Sequence, residues 1–269
     1  MPSYVITGAS RGLGLEFFRQ IASNPANTVI GLVRNVAETE AKISTWKGPN
    51  AYVLHGDLGD YNSVKEAVKA TEAITSGKLD YLIANAAYMS TWSAFDPFSK
   101  LGSDPSRLTS DMIETFTTNV VGNVHLFNLF MPLILEGDVK KVITISSGMA
   151  DNDLVTKFGV YEAAPYTVSK SAMNMVVSKF QTEYEKDGVL FLSISPGMVD
   201  TGSGGEMNEE QKSQVMDLVS KVMKYNPEWK GPTQPEDAVG DVLKVIENAR
   251  LADGLGGAFI SHLGNKQWV

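Results

Sequence analysis

Cysteine is absent from the 269 residues, which excludes disulfides, thiolate metal sites and cysteine nucleophiles. Histidine is scarce, and His55, His125 and His262 are too far apart for metal-ligand spacing, so no metal is expected. No apolar run approaches the roughly 20 residues that cross a bilayer. Tyr4-Val5-Ile6 leads straight into a glycine run, leaving no segment that reads as a removable signal. A cytoplasmic protein without a membrane partner is the expectation. Positive charge is in the minority: 23 Lys and Arg against 31 Asp and Glu give a net charge of −8. Phosphate neutralisation needs clustered cations, so nucleic acid is not expected as a partner. Hydrophobic residues at 43% and charged residues at 20% suit a compact core.

What is present is an alternation. Short aliphatic runs at 4–7, 29–33, 51–55, 81–85, 141–146, 190–195 and 258–261 read as seven strands. Helical patterns fall between them at 13–23, 61–75, 110–135, 164–186 and 236–248. Near-continuous apolar strands alternating with helices predict an α/β fold, a doubly wound parallel sheet covered on both faces. No repeat, low-complexity tract or linker interrupts 1–269, so a single domain is expected. Segments 88–108, 148–163 and 202–232 do not fit the alternation, and each follows a strand on its C-terminal side. Ligands bind at that edge of a parallel sheet, so the three insertions are expected to build one pocket.

Thr7-Gly8-Ala9-Ser10-Arg11-Gly12-Leu13-Gly14 joins the first strand to the first helix. Gly8 can take a turn closed to other residues, Gly12 admits a pyrophosphate to the backbone, and Gly14 lets helix and strand pack closely. The helix N-terminus, with Ser10, Arg11 and Leu13 around it, offers free N–H groups to phosphate; a ligand-free tight turn is the alternative. NAD-binding folds usually place an acid at the end of the second strand, for the ribose 2′-hydroxyl. Here Val33-Arg34-Asn35 has none, and Arg34 with Arg11 can pair with a 2′-phosphate. NADP(H) is therefore the expected cofactor, unless both arginines are plain surface residues. Asp57-Leu58 after the third strand can meet the adenine, or Asp57 can simply cap a helix. Asn85-Ala86-Ala87 after the fourth can lie along the cofactor ribose.

Tyr166 and Lys170 are four apart, so on a helix they share a face about 6 Å apart along the axis. A free phenol has a pKa near ~10; a neighbouring ammonium favours the phenolate and is expected to lower it by roughly 1–3 units. Ser147 ends the fifth strand, where a hydroxyl can donate to a developing oxyanion, although adjacent Ser146 is an equal candidate by position. Asn119 can hold a water near Lys170, or pack within its helix. Pro196-Gly197 with Val199 and Thr201 follows the sixth strand, where backbone and hydroxyl can fix a nicotinamide carboxamide.

In this order the glycine motif, Asp57, Asn85, Asn119, Ser147, Tyr166, Lys170 and Pro196-Gly197 resemble the short-chain dehydrogenase/reductase family over essentially the whole chain. The resemblance implies a Rossmann sheet and a catalytic tetrad of Asn119, Ser147, Tyr166 and Lys170. In that scheme Tyr166 is the acid/base and Ser147, rather than Ser146, steadies the substrate oxygen. Lys170 binds the ribose and lowers the Tyr166 pKa, and Asn119 keeps a proton relay wet. Within the family, Val33-Arg34-Asn35, Ala84-Asn85-Ala86-Ala87 and the stretch from Gly256 to Trp268 are similar to one subgroup. It comprises sniffer-type carbonyl reductases, C-factor-like proteins and fungal norsolorinic acid ketoreductases. Ala84 and Ala87 stand where the family more often has asparagine and glycine, and the segment between Ser147 and Tyr166 is unusually long.

The insertions carry Tyr88, Met89, Trp92, Phe95 and Phe98, then Met149, Phe158 and Tyr161, then Met198 and Met207. Such groups at the ligand edge predict a roomy apolar pocket, although any one can belong to core beneath a loop. Gly202-Ser203-Gly204-Gly205 ahead of a helical pattern at 209–225 reads as the hinge of a lid. The expected substrate is a bulky aromatic or polycyclic ketone, reduced with NADPH as in fungal specialised metabolism. Oxidation of an alcohol and a non-catalytic NADP(H)-binding sensor are the competing readings. The apolar stretch 127–135 can pair two copies into a homodimer or be buried within one chain.

Overall fold

The fold is that of a computed structural model, which describes residues 1–202 and 207–269; Ser203, Gly204 and Gly205 of the expected hinge lie outside them. Seven strands form one sheet: β1 (Ser3–Thr7), β2 (Thr28–Val33), β3 (Ala51–His55), β4 (Tyr81–Ala84), β5 (Lys141–Ile145), β6 (Leu190–Ser195) and β7 (Phe259–Ser261). Their order is β3-β2-β1-β4-β5-β6-β7, and every pairing is parallel. The chain reverses its direction of winding between β1 and β4, which opens a crevice at the strands' C-terminal ends. A Rossmann-type sheet is thus present as expected.

Period-two side chains divide the sheet between two cores. Ile6, Ile83 and Ile143 face one layer with Phe17, Phe18 and Ile21 of α1 (Gly12–Ala22), Ile43 of α2 (Val36–Ile43) and Val239 and Val242 of α10 (Pro235–Asn248). Val5, Leu82 and Val142 face the other, with Val64 of α3 (Tyr61–Thr75), Phe127 and Phe130 of α6 (Gly122–Leu135) and Val177 and Phe180 of α8 (Ala164–Tyr184). There Phe127 meets Phe180 and Phe191 edge-on at 5.3 and 5.6 Å, a favoured aromatic geometry. The 127–135 stretch therefore lies in the core of its own chain. Exposed apolar side chains occur on α5 (Pro105–Phe116) and α8, among them Ile113, Phe116, Val168 and Met175.

The helix expected at 110–135 starts earlier and is not uniform. Asp104 caps α5 by accepting from Arg107 N–H at 3.0 Å, with proline in the first turn. A π turn at Thr117–Val121 then separates α5 from α6. Pro105–Leu135 as a whole is long and apolar enough to cross a membrane, but 56% of its most apolar window is buried inside this fold. Three helices were not expected: α2, capped by Asn35, α4 (Phe98–Leu101) and α7 (Asn152–Phe158), capped by Asp151. All three are at most eight residues long, too short for an apolar period to register.

Asp80 ties the far edge of the sheet together. Its buried carboxylate accepts from Ser3 N–H and Oγ at 2.8 and 3.1 Å and from Asp138 and Val139 N–H at 2.8 and 3.1 Å. Asp80→Asn puts an NH2 against these donors and removes the charge that strengthens each bond. We expect a loss of about 2 kcal/mol, measured as a lower midpoint in urea with an unchanged slope.

Candidate active site

The turn after β1 is shaped by contacts that forbid side chains. Gly8 and Gly12 have φ of 70° and 54°, the region where glycine is favoured. A Cβ on Gly14 would lie 2.2 Å from Gly8 O and 2.5 Å from Asn85 Nδ2, so α1 closes directly on the strand. Arg11 is the residue before α1 and its side chain makes no capping bond, leaving the first N–H groups of the helix directed at the crevice. Leu13 packs against the core and Gly8 N–H donates to Leu32 O at 2.9 Å. The Ser10 carbonyl accepts from Lys42 Nζ at 3.4 Å, a cation the sequence reading passed over. Arg11 and Arg34 are exposed and form no ion pair among the described residues.

Thr7 fastens the neighbouring loop. Its Oγ1 accepts from the N–H groups of Asn85 and Ala86, both at 3.0 Å, while Asn85 Nδ2 donates to Thr7 O at 3.0 Å. Ala86 thereby sits against Gly8, and Ala87 is exposed beyond it. Asp57 accepts from Gly59 N–H at 2.9 Å, and the cap of α3 is Asp60, so Asp57 is not that helix's cap. Leu58 supports the π-turn region: a Cβ on Gly122 would lie 2.4 Å from Leu58 O. Asn35 spends its side-chain oxygen on capping α2, accepting from Glu38 N–H at 3.1 Å. On the other side of the crevice Pro196 is buried and Gly197 has φ 84°. Val199 pairs with Thr233 as an isolated parallel bridge, which brings Thr201 against Gly12, 3.5 Å from the position a Cβ would take there. The glycine cradle and the uncapped helix end fit the pyrophosphate of a dinucleotide.

Tyr166 and Lys170 share a face of α8 as their spacing requires, with Lys170 Nζ 5.5 Å from the centre of the Tyr166 ring. Lys170 is buried and donates to Ile145 O at 2.6 Å, so the end of β5 anchors it. Burial brings its pKa down to about 8. The Tyr166 hydroxyl makes no hydrogen bond among the described residues, and burial pushes its pKa up to about 12. This corrects the expectation of a lowered phenol pKa: loss of water outweighs the ammonium in the chain by itself. Ser146 is buried and donates to Asn174 Oδ1 at 2.8 Å, whereas Ser147 Oγ accepts only a long 3.3 Å bond from Met149 N–H. Position alone left the two serines equal; geometry leaves Ser147 accessible.

Asn119 is buried in the π turn, and such turns recur at functional sites. It clamps Tyr88 through both backbone groups, accepting from its N–H at 2.7 Å and donating to its carbonyl at 2.8 Å. Nδ2 also donates to Ser169 Oγ at 2.9 Å, and Ser169 Oγ donates to Tyr166 O at 2.6 Å. The Asn119 carbonyl accepts from Asn123 Nδ2 at 2.8 Å. Ser169 thus joins Asn119 to the turn that carries Tyr166, while Asn123 braces the π turn itself. Neither stands out in sequence, because a serine or asparagine on a helix has no periodic signature.

Beside Ser147 lies an apolar cavity of about 110 Å³, lined by Met149, Leu154, Val160, Met198, Trp268 and by Leu218 and Val222 of α9 (Glu209–Tyr225), with Lys221 and Tyr225. The second and third insertions contribute walls as expected, but the volume falls well below the roughly 300–1,000 Å³ of a small-molecule pocket, so the cavity is not the roomy one the sequence predicts. The first does not line it: Ser93 donates to Asp111 of α5 at 2.7 Å, and Trp92 lies under Arg107. Phe158 instead packs edge-on against Tyr225 at 5.1 Å. Trp268, stacked on Phe259 at 4.3 Å, is a wall residue that its distance in sequence concealed.

The family model described as short chain dehydrogenase matches residues 3–212. The chain is 52% identical over 271 residues to the short chain dehydrogenase virK of Hypocrea virens, covering all of both chains. It is 44% identical over 272 residues to the short-chain dehydrogenase/reductase iacC of Pestalotiopsis fici, again covering all of both. The NADPH-bound carbonyl reductase from chicken fatty liver shares the fold, with a TM-score of 0.77 at 24% identity over 98% of each chain. With the family model covering more than half of the chain and relatives of 52% and 44% identity covering all of it, the chain belongs to the short-chain dehydrogenase/reductase family of oxidoreductases.

Proposed function

We propose that the chain is a cytoplasmic NADPH-dependent ketoreductase that reduces a bulky, apolar ketone, with Tyr166 as the general acid. The observation that carries this reading is the Tyr166 hydroxyl. It is unpartnered among the described residues, so its proton is engaged by no other group, and it stands on a helix whose Lys170 is anchored at the end of β5. The carbonyl oxygen must receive a proton, and the Lys170 ammonium beside the ring would draw the phenol's pKa back toward the working pH, where a positioned acid is most effective.

Gly8, Ser10, Gly12, Leu13 and Gly14 would hold the pyrophosphate, and Arg11 and Arg34 the 2′-phosphate. Asp57 and Leu58 would flank the adenine, Asn85, Ala86 and Ala87 the ribose, and Pro196, Gly197, Val199 and Thr201 the carboxamide. When bound, the reduced nicotinamide supplies a hydride for the carbonyl carbon. Tyr166 Oη donates its proton to the ketone oxygen while Ser147 Oγ donates a hydrogen bond to the same oxygen. The ammonium of Lys170 stabilises the phenolate left behind. Asn119 acts through Ser169 to fix the first turn of α8, and so keeps Tyr166 in line.

The apolar wall from Leu154, Val160, Leu218 and Trp268 favours an apolar substrate; a polycyclic one would have to displace α9 outward to fit, and the fungal relatives suit a place in secondary metabolite formation. The direct test follows NADPH absorbance against polycyclic and short linear ketones. Consumption with the former, and much slower consumption with the latter, is the expected result; faster turnover of short polar aldehydes contradicts the substrate assignment. Cofactor choice has its own test. Arg34→Ala removes one charge-assisted contact worth about 1.5–3 kcal/mol. The ratio of kcat/KM with NADPH to that with NADH should fall roughly 10–100-fold, and an unchanged ratio removes Arg34 from the 2′-phosphate site.

A further inference from the structure

The helix α9 has no buried residue of its own, yet Leu218, Val222 and Tyr225 form the outer wall of the cavity beside Ser147. Apart from Tyr225, which packs edge-on against Phe158 at 5.1 Å, little hydrophobic burial holds such a helix, so polar contacts take a large share in holding it. Three groups of contacts do so, one of them at its end, where the Tyr225 hydroxyl accepts from Trp268 N–H at 3.1 Å and donates to Lys266 O at 3.3 Å. At its start, Lys100 pairs with Glu210 at 2.7 Å, and Gln214 donates to Asp96 at 2.7 Å. The Lys100 and Glu210 side chains are well exposed, and such pairs are weak and screened.

The third group is different. Lys221 pairs with Glu162 at 2.7 Å, with the two side chains 14% and 2% exposed. Lys221 also pairs with Asp217 one turn earlier at 2.8 Å and lies over the Tyr161 ring at 3.6 Å. Tyr161 Oη donates to Asp217 at 3.1 Å, so both partners are held from the same side. Glu162 Oε2 accepts from Tyr161 N–H at 2.9 Å. Glu162 immediately precedes Ala163, whose φ of 50° turns the chain into α8, and Tyr166 stands in the first turn of that helix. A buried carboxylate stripped of its ammonium is strongly disfavoured, so separating α9 from this loop means exposing Glu162 to water or leaving its charge uncompensated.

We propose that Lys221 and Glu162 are positioning residues: their ion pair fastens α9 to the loop before Tyr166 and so fixes the wall that a large ketone touches. The proposal rests on the ketoreductase reading for its kinetic effect, but not for its mechanical one. A small ketone reaching only Ser147 and Tyr166 does not need that wall. Loss of the pair is therefore felt according to substrate size, mainly in KM.

The test uses the NADPH-loaded enzyme, one polycyclic and one short-chain ketone, and the variants Lys221→Met, Lys221→Arg, Glu162→Gln and Lys221→Met with Glu162→Gln. For Lys221→Met we expect kcat/KM for the polycyclic ketone to fall about tenfold, chiefly through KM, and that for the short ketone by less than about twofold. Lys221→Arg should restore most of the loss. The double variant should be no worse than Lys221→Met alone, since partners in one pair are not additive. Hydrogen exchange across α9 should quicken in Lys221→Met while the sheet is unchanged. Equal losses on both ketones, or unchanged exchange across α9, overturn the proposal. If the unaltered enzyme reduces neither ketone, the functional reading fails, and the exchange measurement alone decides whether the pair holds the helix.

Discussion

Tyr166→Phe is expected to lower ketone-dependent NADPH oxidation by about 10³-fold, within the 10²–10⁴-fold range of a positioned acid, while leaving NADPH affinity within about twofold. The asymmetry follows from the surroundings of the hydroxyl. Tyr166 Oη has no hydrogen-bond partner among the described residues, and the Lys170 ammonium, 5.5 Å from the ring centre, remains in the phenylalanine variant. Removing one oxygen therefore deletes a proton donor and little else. Single-turnover absorbance with enzyme in excess separates this from slow product release, and nucleotide fluorescence reports binding. A variant that keeps a third of the native rate would mean that the proton comes from elsewhere, with Ser147 the first alternative to examine.

The parts of this site readable from sequence are those whose chemistry is local in the chain. Gly8, Gly12 and Gly14 lie within one turn, and Tyr166 and Lys170 within one turn of helix, so spacing alone brings them together. The seven strands were legible for a related reason: strands buried on both faces are apolar without interruption. What stayed hidden depends on tertiary contact. Ser169 matters only because the π turn directs Asn119 toward it, and nothing in Thr117–Val121 marks a π turn. Glu162 and Lys221 are 59 residues apart and each reads as surface charge until the loop and α9 meet. The phenol pKa was misjudged for the same reason, since spacing reveals the neighbouring ammonium but not the loss of water around both groups.

That loss of water has a measurable consequence at Lys170. Its fall from 10.5 to about 8 corresponds to roughly 3 kcal/mol at 1.36 kcal/mol per pKa unit, a cost of keeping the ammonium charged in the fold. Lys170→Met removes that cost and gives up one hydrogen bond to Ile145 O, worth about 1 kcal/mol. The variant is therefore expected to be more stable at pH 7 by roughly 2 kcal/mol, seen as a rise in Tm of about 5 °C. It should also be at least about 10²-fold slower. The sign with pH follows from proton counts. Between pH 8 and 10.5 the unfolded chain holds a proton on Lys170 that the folded chain has released, so the native enzyme gains stability as pH rises through that window. Below pH 8 the full penalty is present, and above 10.5 it is gone. The advantage of Lys170→Met should accordingly be largest at or below pH 7 and should shrink toward pH 10.5. A variant less stable than the native enzyme at pH 7, or a difference independent of pH, would show that Lys170 is not held as a desolvated cation. Stability given up at this position is what places an ammonium beside Tyr166, where it can stabilise the phenolate as the proton leaves.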